Sequence, residues 1–192
     1  MRLDRVVLAT GNPHKVSELR AILEPLLPGI IVEAYDGPSP VEDGETFVAN
    51  ALIKARAAAA RTGLPAVADD SGISVAALGG APGIDSAHYS GSRRDDENRA
   101  FLMERMRGVT DRRADFVCAA VLVGAGDDVT VEARWPGRVV EAERGSGGFG
   151  YDPLFLPDGL DRTAAELSPE EKNAVSHRGR AFRHLAELIA AR

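Results

Sequence analysis

The sequence predicts an α/β fold, a parallel-type sheet layered with helices. Three observations carry this. Short apolar runs of strand length recur at residues 6–9, 30–34, 64–68 and 116–123. Segments with helical spacing of apolar residues separate the first three. The loops after these runs gather glycine, asparagine, aspartate and serine, where open α/β sheets place their chemistry.

At 192 residues the chain is long enough for one domain with a substantial core. No apolar run approaches the roughly 20 residues of a spanning helix, so no membrane partner is expected. The start of the chain enters a strand without the apolar stretch of a secretory signal. The single cysteine, Cys118, sits in an apolar run. No intrachain disulfide is possible, and a reducing cytoplasm is the expected location. The net charge of −6, without blocks of like charge, argues against a nucleic-acid surface. Of the 23 basic residues only Lys15, Lys54 and Lys172 are lysines. An ammonium suits phosphate oxygens as a point charge, which arginine's planar fork does not replace, so these three are candidate phosphate ligands.

The first strand, residues 6–9, ends at Thr10-Gly11-Asn12-Pro13-His14-Lys15. Asn12 before Pro13 is a strong helix start, and Val16, Leu19, Leu23 and Leu26 continue at helical spacing. His14 and Lys15 put cations in the first turn, against the helix dipole, which makes sense beside a bound anion. The spacing of a Walker loop is absent. After a strand at 30–34, an acidic, proline-rich loop containing Glu42 leads to Thr46, a candidate cap for a helix to about residue 61. On that helix Thr46, Asn50 and Lys54 form a polar stripe, while Phe47, Ala51, Ala55 and Ala58 form a small-residue face.

The central stretch is Val67-Ala68-Asp69-Asp70-Ser71-Gly72. It reads as a buried strand ending in two carboxylates. Adjacent acids on extended backbone point to opposite sides, so they serve different partners. A short strand at 73–78 and a turn cluster at 79–84 follow. Residues 95–107 read as a charged surface helix whose arginines face solvent, with Phe101, Leu102 and Met106 inward. The apolar run 116–123 predicts a central strand. A turn at 124–128 leads to an alternating strand with Val129, Val131, Ala133 and Trp135 on its dry face.

Residues 145–150 match the letters of a dinucleotide fingerprint, but no strand runs into them and no helix follows. They read instead as a loop that lets Phe149 approach a flat ligand, with Gly150 and Tyr151 beside it. Asp152 accepts from ring N–H groups in this reading, and residues 151–155 continue as extended backbone. Ser168-Pro169-Glu170-Glu171 is a capping box with proline at the first helical position. Lys172 falls in that helix's first turn, and His177 and Arg178 open the closing helix.

Five motifs in this order resemble the inosine triphosphate pyrophosphatase family: Thr10-Gly11-Asn12-x-x-Lys15, Ala68-Asp69-Asp70-Ser71-Gly72, Gly79-Gly80-x-Pro82-Gly83, Gly148-Phe149-Gly150-Tyr151-Asp152-Pro153, and Glu171-Lys172-Asn173-Ala174-Val175-Ser176-His177-Arg178. The resemblance covers nearly the whole chain. It implies a single domain over 1–192, with an elongated mixed β-sheet, flanking helices and two lobes around a central cleft, and it implies a homodimer. It also implies Mg²⁺-dependent hydrolysis of ITP, dITP and XTP to the monophosphate and pyrophosphate. Asp70 matches the family's proton acceptor and metal-binding aspartate, and Glu42 lies near an acidic metal ligand. Thr10, Gly11, Asn12, Pro13, His14, Lys15, Ser71 and Lys172 match substrate-binding positions, and Lys54, in the polar stripe with Thr46 and Asn50, is counted with them as a substrate-binding candidate. Phe149, Gly150, Tyr151, Asp152, His177 and Arg178 match residues around the base. Ala49, His88 and Val117 depart from residues common in the family.

The residues fit that chemistry. Cleaving a triphosphate demands cations more than a strong nucleophile, and Mg²⁺ needs only one or two carboxylates besides phosphate oxygens. Two other readings use the same loops: a nucleotide-binding regulator without turnover, and a pyrophosphatase for modified pyrimidine nucleotides.

Overall fold

The computed structural model describes residues 3–191, which divide into two compact units. The first comprises the residues through Asp70, Cys118–Ala133 and those from Arg178 onward. The second comprises Ser71–Val117 and Arg134–His177.

In the first unit, β1 (Arg5–Leu8) leads to α1 (Pro13–Leu26), β2 (Ile31–Ala34), α2 (Phe47–Thr62) and the start of β3 (Ala66–Val75). β1 pairs in parallel with β2 and with β3, Val7 lying opposite Ala66 and Leu8 opposite Val67. Parallel neighbours need crossovers, and α1 and α2 supply them. Alternation along β1 then decides what each helix meets. Val6 and Leu8 face a core with Leu19 and Leu23 of α1 and with Phe182 and Leu185 of α5 (His177–Ala190). Val7 and Ala9 face Ala51, Ala55 and Ala58 of α2, together with Ala66 and Ala68 of β3. Small side chains on both partners let α2 lie close to the strands. Both helix starts follow the local rules expected for them. Asn12 Oδ1 accepts from the backbone N–H groups of His14 (2.9 Å) and Lys15 (3.4 Å), and Thr46 Oγ1 accepts from Ala49 N at 3.1 Å.

The second unit holds the end of β3, 3₁₀ turns at Ala76–Leu78 and Gly83–His88, α3 (Asp95–Arg105), the short strand β6 (Phe155–Pro157) and α4 (Pro169–Val175). Strands β4 (Arg113–Val123) and β5 (Val129–Val139) have residues in both units, and the sheet order is β2-β1-β3-β4-β5-β6. β5 and β6 are antiparallel, so the sheet is mixed. The aromatic core of this unit packs Phe155 edge-on against Phe116 (4.5 Å) and against Trp135 (5.4 Å between ring centres). The capping box at Ser168 forms, with Glu171 as its acidic partner.

Three expectations change. β3 does not stop at the carboxylates but runs through Asp69, Asp70, Ser71 and Gly72 without a turn. Pairing of both carboxylates with cations lets an extended backbone carry them inside a strand. The expected strand at 73–78 is therefore the end of β3, closed by the first 3₁₀ turn. Residues Asp152–Leu154 form a 3₁₀ turn rather than extended backbone, because Pro153 fits the first positions of a helical turn. Among the described residues, no helix is long and apolar enough to cross a membrane.

Gly72 is fixed by packing. A Cβ there would lie 2.3 Å from Ser86 Oγ and 2.4 Å from Gly83 O. That hydroxyl is itself held, donating to Gly83 O at 2.6 Å and accepting from Ile73 N at 3.0 Å. Gly72→Ala is expected to lower stability by about 1–3 kcal/mol or more, the cost of overpacking a filled site. Chemical denaturation measures it, and an unchanged midpoint would mean the turn moves freely.

Candidate active site

The alternation of β3 separates its two acids, as extended backbone requires. Asp69 is fully buried. Its Oδ2 accepts from Lys15 Nζ at 2.9 Å and from Arg178 Nε at 3.3 Å, with Cys118 Sγ at 4.0 Å. Arg178 in turn donates through Nη1 to Glu18 Oε2 at 2.6 Å. Burial alone would raise the Asp69 pKa, but Lys15, Arg178 and Lys54 outweigh it and hold the carboxyl well below the usual range. Burial and the neighbouring Asp69 charge push the Cys118 thiol far up, so it stays protonated.

Asp70 meets a different set. Its Oδ1 accepts from Lys54 Nζ at 2.9 Å, and the same ammonium donates to Glu42 Oε2 at 2.7 Å. Asn50 Nδ2 lies 3.5 Å from Asp70 Oδ2, while Asn50 Oδ1 accepts from Gly44 N at 2.8 Å. The polar stripe of α2 thus ties the acidic loop to the strand. Burial raises the Asp70 pKa above the ordinary aspartate value, and attraction to Lys54 only partly offsets it. On Lys54, burial acts downward but Asp70, Asp69 and Glu42 together raise it, so the ammonium stays charged.

Among the described residues no three His, Cys, Asp or Glu side chains group to hold a metal by themselves. Asp70 and Glu42 nevertheless converge on one cation, Lys54 Nζ. Their donor set, two carboxylates, suits a hard divalent ion completed by substrate oxygens and water. The residues present fit such an ion.

The second unit assembles a different group. Lys172 is buried, with Nζ 2.6 Å from Asp152 Oδ2 and 4.8 Å from the centre of the Phe149 ring. The same Asp152 oxygen accepts from Phe149 N at 2.9 Å. Gly148, at φ +69°, is required here, since a Cβ would lie against that carboxylate. Tyr151 donates through its hydroxyl to Ser86 O at 2.9 Å. His177 is buried and stacks on Phe116 at 4.7 Å and 8° between planes. Ser71 is half-buried on β3 directly after Asp70.

These positions revise several expectations. Lys15 is half-buried against Asp69, whose carboxylate supplies a negative charge beside this cation in the first turn of α1. In the same loop Asn12 caps, Asn12 N donates to Thr10 Oγ1 at 3.2 Å, and Gly11, Pro13 and His14 are exposed. Lys172 stands with Asp152 and Phe149 rather than with the acids of β3, because its short helix packs in the second unit. His177 and Arg178 have different surroundings. His177 is a member of an aromatic stack, whereas Arg178 is 2% exposed and spends Nε and Nη1 on Asp69 and Glu18. Glu18 and Asn50 were missed as site residues. The available signal was Glu18 one helical turn after Lys15, and Asn50 in the stripe with Lys54.

The chain matches the family model described as the Ham1 family over residues 6–188. It is 53% identical to a dITP/XTP pyrophosphatase of Leifsonia xyli subsp. xyli, across 97% of this chain and 96% of that one. Among solved structures, a HAM1 protein from Coxiella burnetii superposes with TM-score 0.89 at 40% identity, covering 100% of both chains. A nucleoside-triphosphatase described as a dITP/XTP pyrophosphatase from Mycobacterium abscessus superposes with TM-score 0.76 at 44% identity, covering 94% of this chain and 98% of that one.

Removing one member of the Asp69 network leaves a buried charge uncompensated, at a cost of about 3–5 kcal/mol. Arg178→Ala and Asp69→Asn are each expected to show that loss in urea denaturation at neutral pH. The folded pKa of Asp69 is depressed, so its stabilisation is full above the unfolded value of 3.8 and fades as pH falls below it. The gap between wild type and Asp69→Asn should therefore narrow in acid. Wild-type midpoints for both variants would remove Asp69 from its central place.

Proposed function

The chain belongs to the Ham1 family, and from that premise we propose that it hydrolyses non-canonical purine nucleoside triphosphates, ITP, dITP and XTP, to the monophosphate and pyrophosphate. In the cell this cleanses the nucleotide pool. The observation that carries the reading is the convergence of Asp70 and Glu42 on one cation, beside an Asp69 whose Oδ2 is held by Lys15 and Arg178.

In this reading Asp70 takes the proton of the attacking water. Its raised pKa suits a general base better than that of Asp69, which is held too low to accept a proton. The water oxygen bonds to the α-phosphorus, and the bond from that phosphorus to the bridging oxygen breaks. Pyrophosphate leaves with the bridging oxygen. Asp70 and Glu42 would hold Mg²⁺, which when bound neutralises charge on the phosphate oxygens. Lys54, Lys15 and the N-terminal turn of α1 supply further positive charge and N–H groups for the triphosphate.

The base is assigned to the Phe149, Asp152 and Lys172 group, with Gly150, Tyr151 and His177 supporting it. Phe149 offers a flat face and Lys172 an ammonium that donates and cannot accept. Hypoxanthine and xanthine carry a keto oxygen where adenine carries an amino donor. A donor facing Lys172 goes unpaired, at about 1–3 kcal/mol, which disfavours ATP. In this reading Lys172 carries the discrimination. A homodimer and a cytoplasmic location belong to the same reading, and light scattering on the eluting protein tests the first.

A pyrophosphate-release assay with Mg²⁺ is expected to show ITP, dITP and XTP turned over far faster than ATP, GTP, CTP or dUTP, and EDTA should abolish the signal. Silence across the panel would leave a nucleotide-binding regulator, and a preference for pyrimidines would overturn the purine assignment. Asp70→Asn should keep the wild-type melting temperature within a few degrees while turnover falls by several kcal/mol of barrier, on the order of a thousandfold or more. Retained turnover would move the base to another group.

A further inference from the structure

We infer that Asp95 and Arg99 of α3 are positioning residues for the base, gripping the loop that carries Phe149. This rests on the assignment of Phe149, Asp152 and Lys172 to the base.

The sequence reads α3 as a charged surface helix, yet the Arg99 side chain is only 17% exposed. Its Nη1 donates to Gly150 O at 3.0 Å, and its Nε donates to Glu143 Oε1 at 2.8 Å. One turn earlier on the same helix face, Asp95 Oδ2 accepts from Gly150 N at 2.7 Å. A single residue of the loop thus has its N–H and its C=O held by two side chains four positions apart. Two attachments on one residue fix its orientation, which either alone would leave free to swing. Gly150 sits at φ +60°, one of several conformations open to glycine, and the two bonds select it.

The helix making this grip is itself anchored. Asn98, buried between the two gripping residues in sequence, accepts at Oδ1 from Ser90 N (2.9 Å) and Ser90 Oγ (2.8 Å). Its Nδ2 donates to Ala87 O at 3.2 Å. Leu102 and Met106 are fully buried in the core of the unit, and Phe101 packs edge-on against Tyr89 at 5.0 Å. On the loop side, Phe149 precedes Gly150 and Tyr151 follows it, with Phe149 N bonded to Asp152 and Tyr151 Oη bonded to Ser86 O. The Gly150 grip ties α3 to the backbone between those two aromatic residues. Moving it swings the Phe149 ring relative to Lys172 and Asp152. A misplacement of about 1 Å in a binding group is worth up to a hundredfold.

The test compares Asp95→Ala, Arg99→Ala and Arg99→Lys with Arg105→Ala, an exposed control on the same helix. Steady-state kinetics with ITP are paired with inhibition by IMP and by inorganic pyrophosphate. Asp95→Ala and Arg99→Ala should raise KM for ITP and the IMP inhibition constant about tenfold or more, with kcat little changed, the signature of lost uniform binding. The pyrophosphate inhibition constant should stay at the wild-type value, and Arg99→Lys should recover part of the loss. Equal weakening of IMP and pyrophosphate, or a fall in kcat alone, would make the two residues merely structural and overturn the inference. Phe149→Ala serves as the marker for the underlying assignment. If it leaves IMP inhibition unchanged, the base is bound elsewhere; if it weakens IMP while Asp95→Ala and Arg99→Ala do not, only the grip is wrong.

Discussion

A carboxylate with no solvent exposure is the constraint from which much of the first unit follows. Asp69 lies on a strand between two layers of helices, where an uncompensated charge would cost several kcal/mol. Lys15 and Arg178 meet it from the first turn of α1 and the first turn of α5. Those helices are far apart in sequence, so the compensation fixes both helix starts against β3. Glu18 then balances the second half of the Arg178 guanidinium. Such a network is not the cheapest way to gain stability, since well-packed apolar groups often do as well. What it supplies is orientation: every charge in it has few alternative positions.

That orientation bears on Asp70. The residue after a pinned carboxylate on an extended strand has its direction decided, and here the direction is toward Lys54, Glu42 and Asn50. Two acids adjacent in sequence consequently have opposite proton affinities, one held low by cations and the other raised by burial. A pair of titratable groups pushed apart in this way is how acid and base roles are commonly divided in enzymes. The dual role proposed for Asp70, holding a metal and taking a proton, depends on Asp69 having no such freedom.

Much of this was legible in the sequence because it is local. Asn12-Pro13, Thr46 and Ser168-Pro169-Glu170-Glu171 announce their helix starts through caps that involve neighbours only. The opposite faces of Asp69 and Asp70 follow from the period of a strand. The identities of their partners do not, since Arg178 lies more than a hundred residues from Asp69. The continuation of the strand through Ser71 and Gly72 was missed for the same reason. Asp, Ser and Gly favour turns in isolation, and only the distant lysines make an extended path tolerable for them. Lysine scarcity singled out three residues as candidate phosphate ligands, and each of them meets a carboxylate: Lys15 meets Asp69, Lys54 meets Asp70 and Lys172 meets Asp152. Lys172 also faces an aromatic ring, a setting fixed by the packing of α4.

The second unit solves a different problem with the same means. Its base-binding candidates lie on a glycine-rich loop, where backbone entropy is high and side-chain placement is poor unless something restrains it. Restraint here comes from polar groups that are themselves buried or anchored: Asp152 holds the Phe149 amide and Lys172, Ser86 O receives Tyr151, and α3 holds Gly150 at both ends. Each bond spends a charged or polar group on the backbone rather than on a ligand. That choice explains why Asp152 and Lys172 are buried and Arg99 is largely covered. A flat ligand is selected by the placement of a few donors, and donors on a loop discriminate only as well as the loop is held.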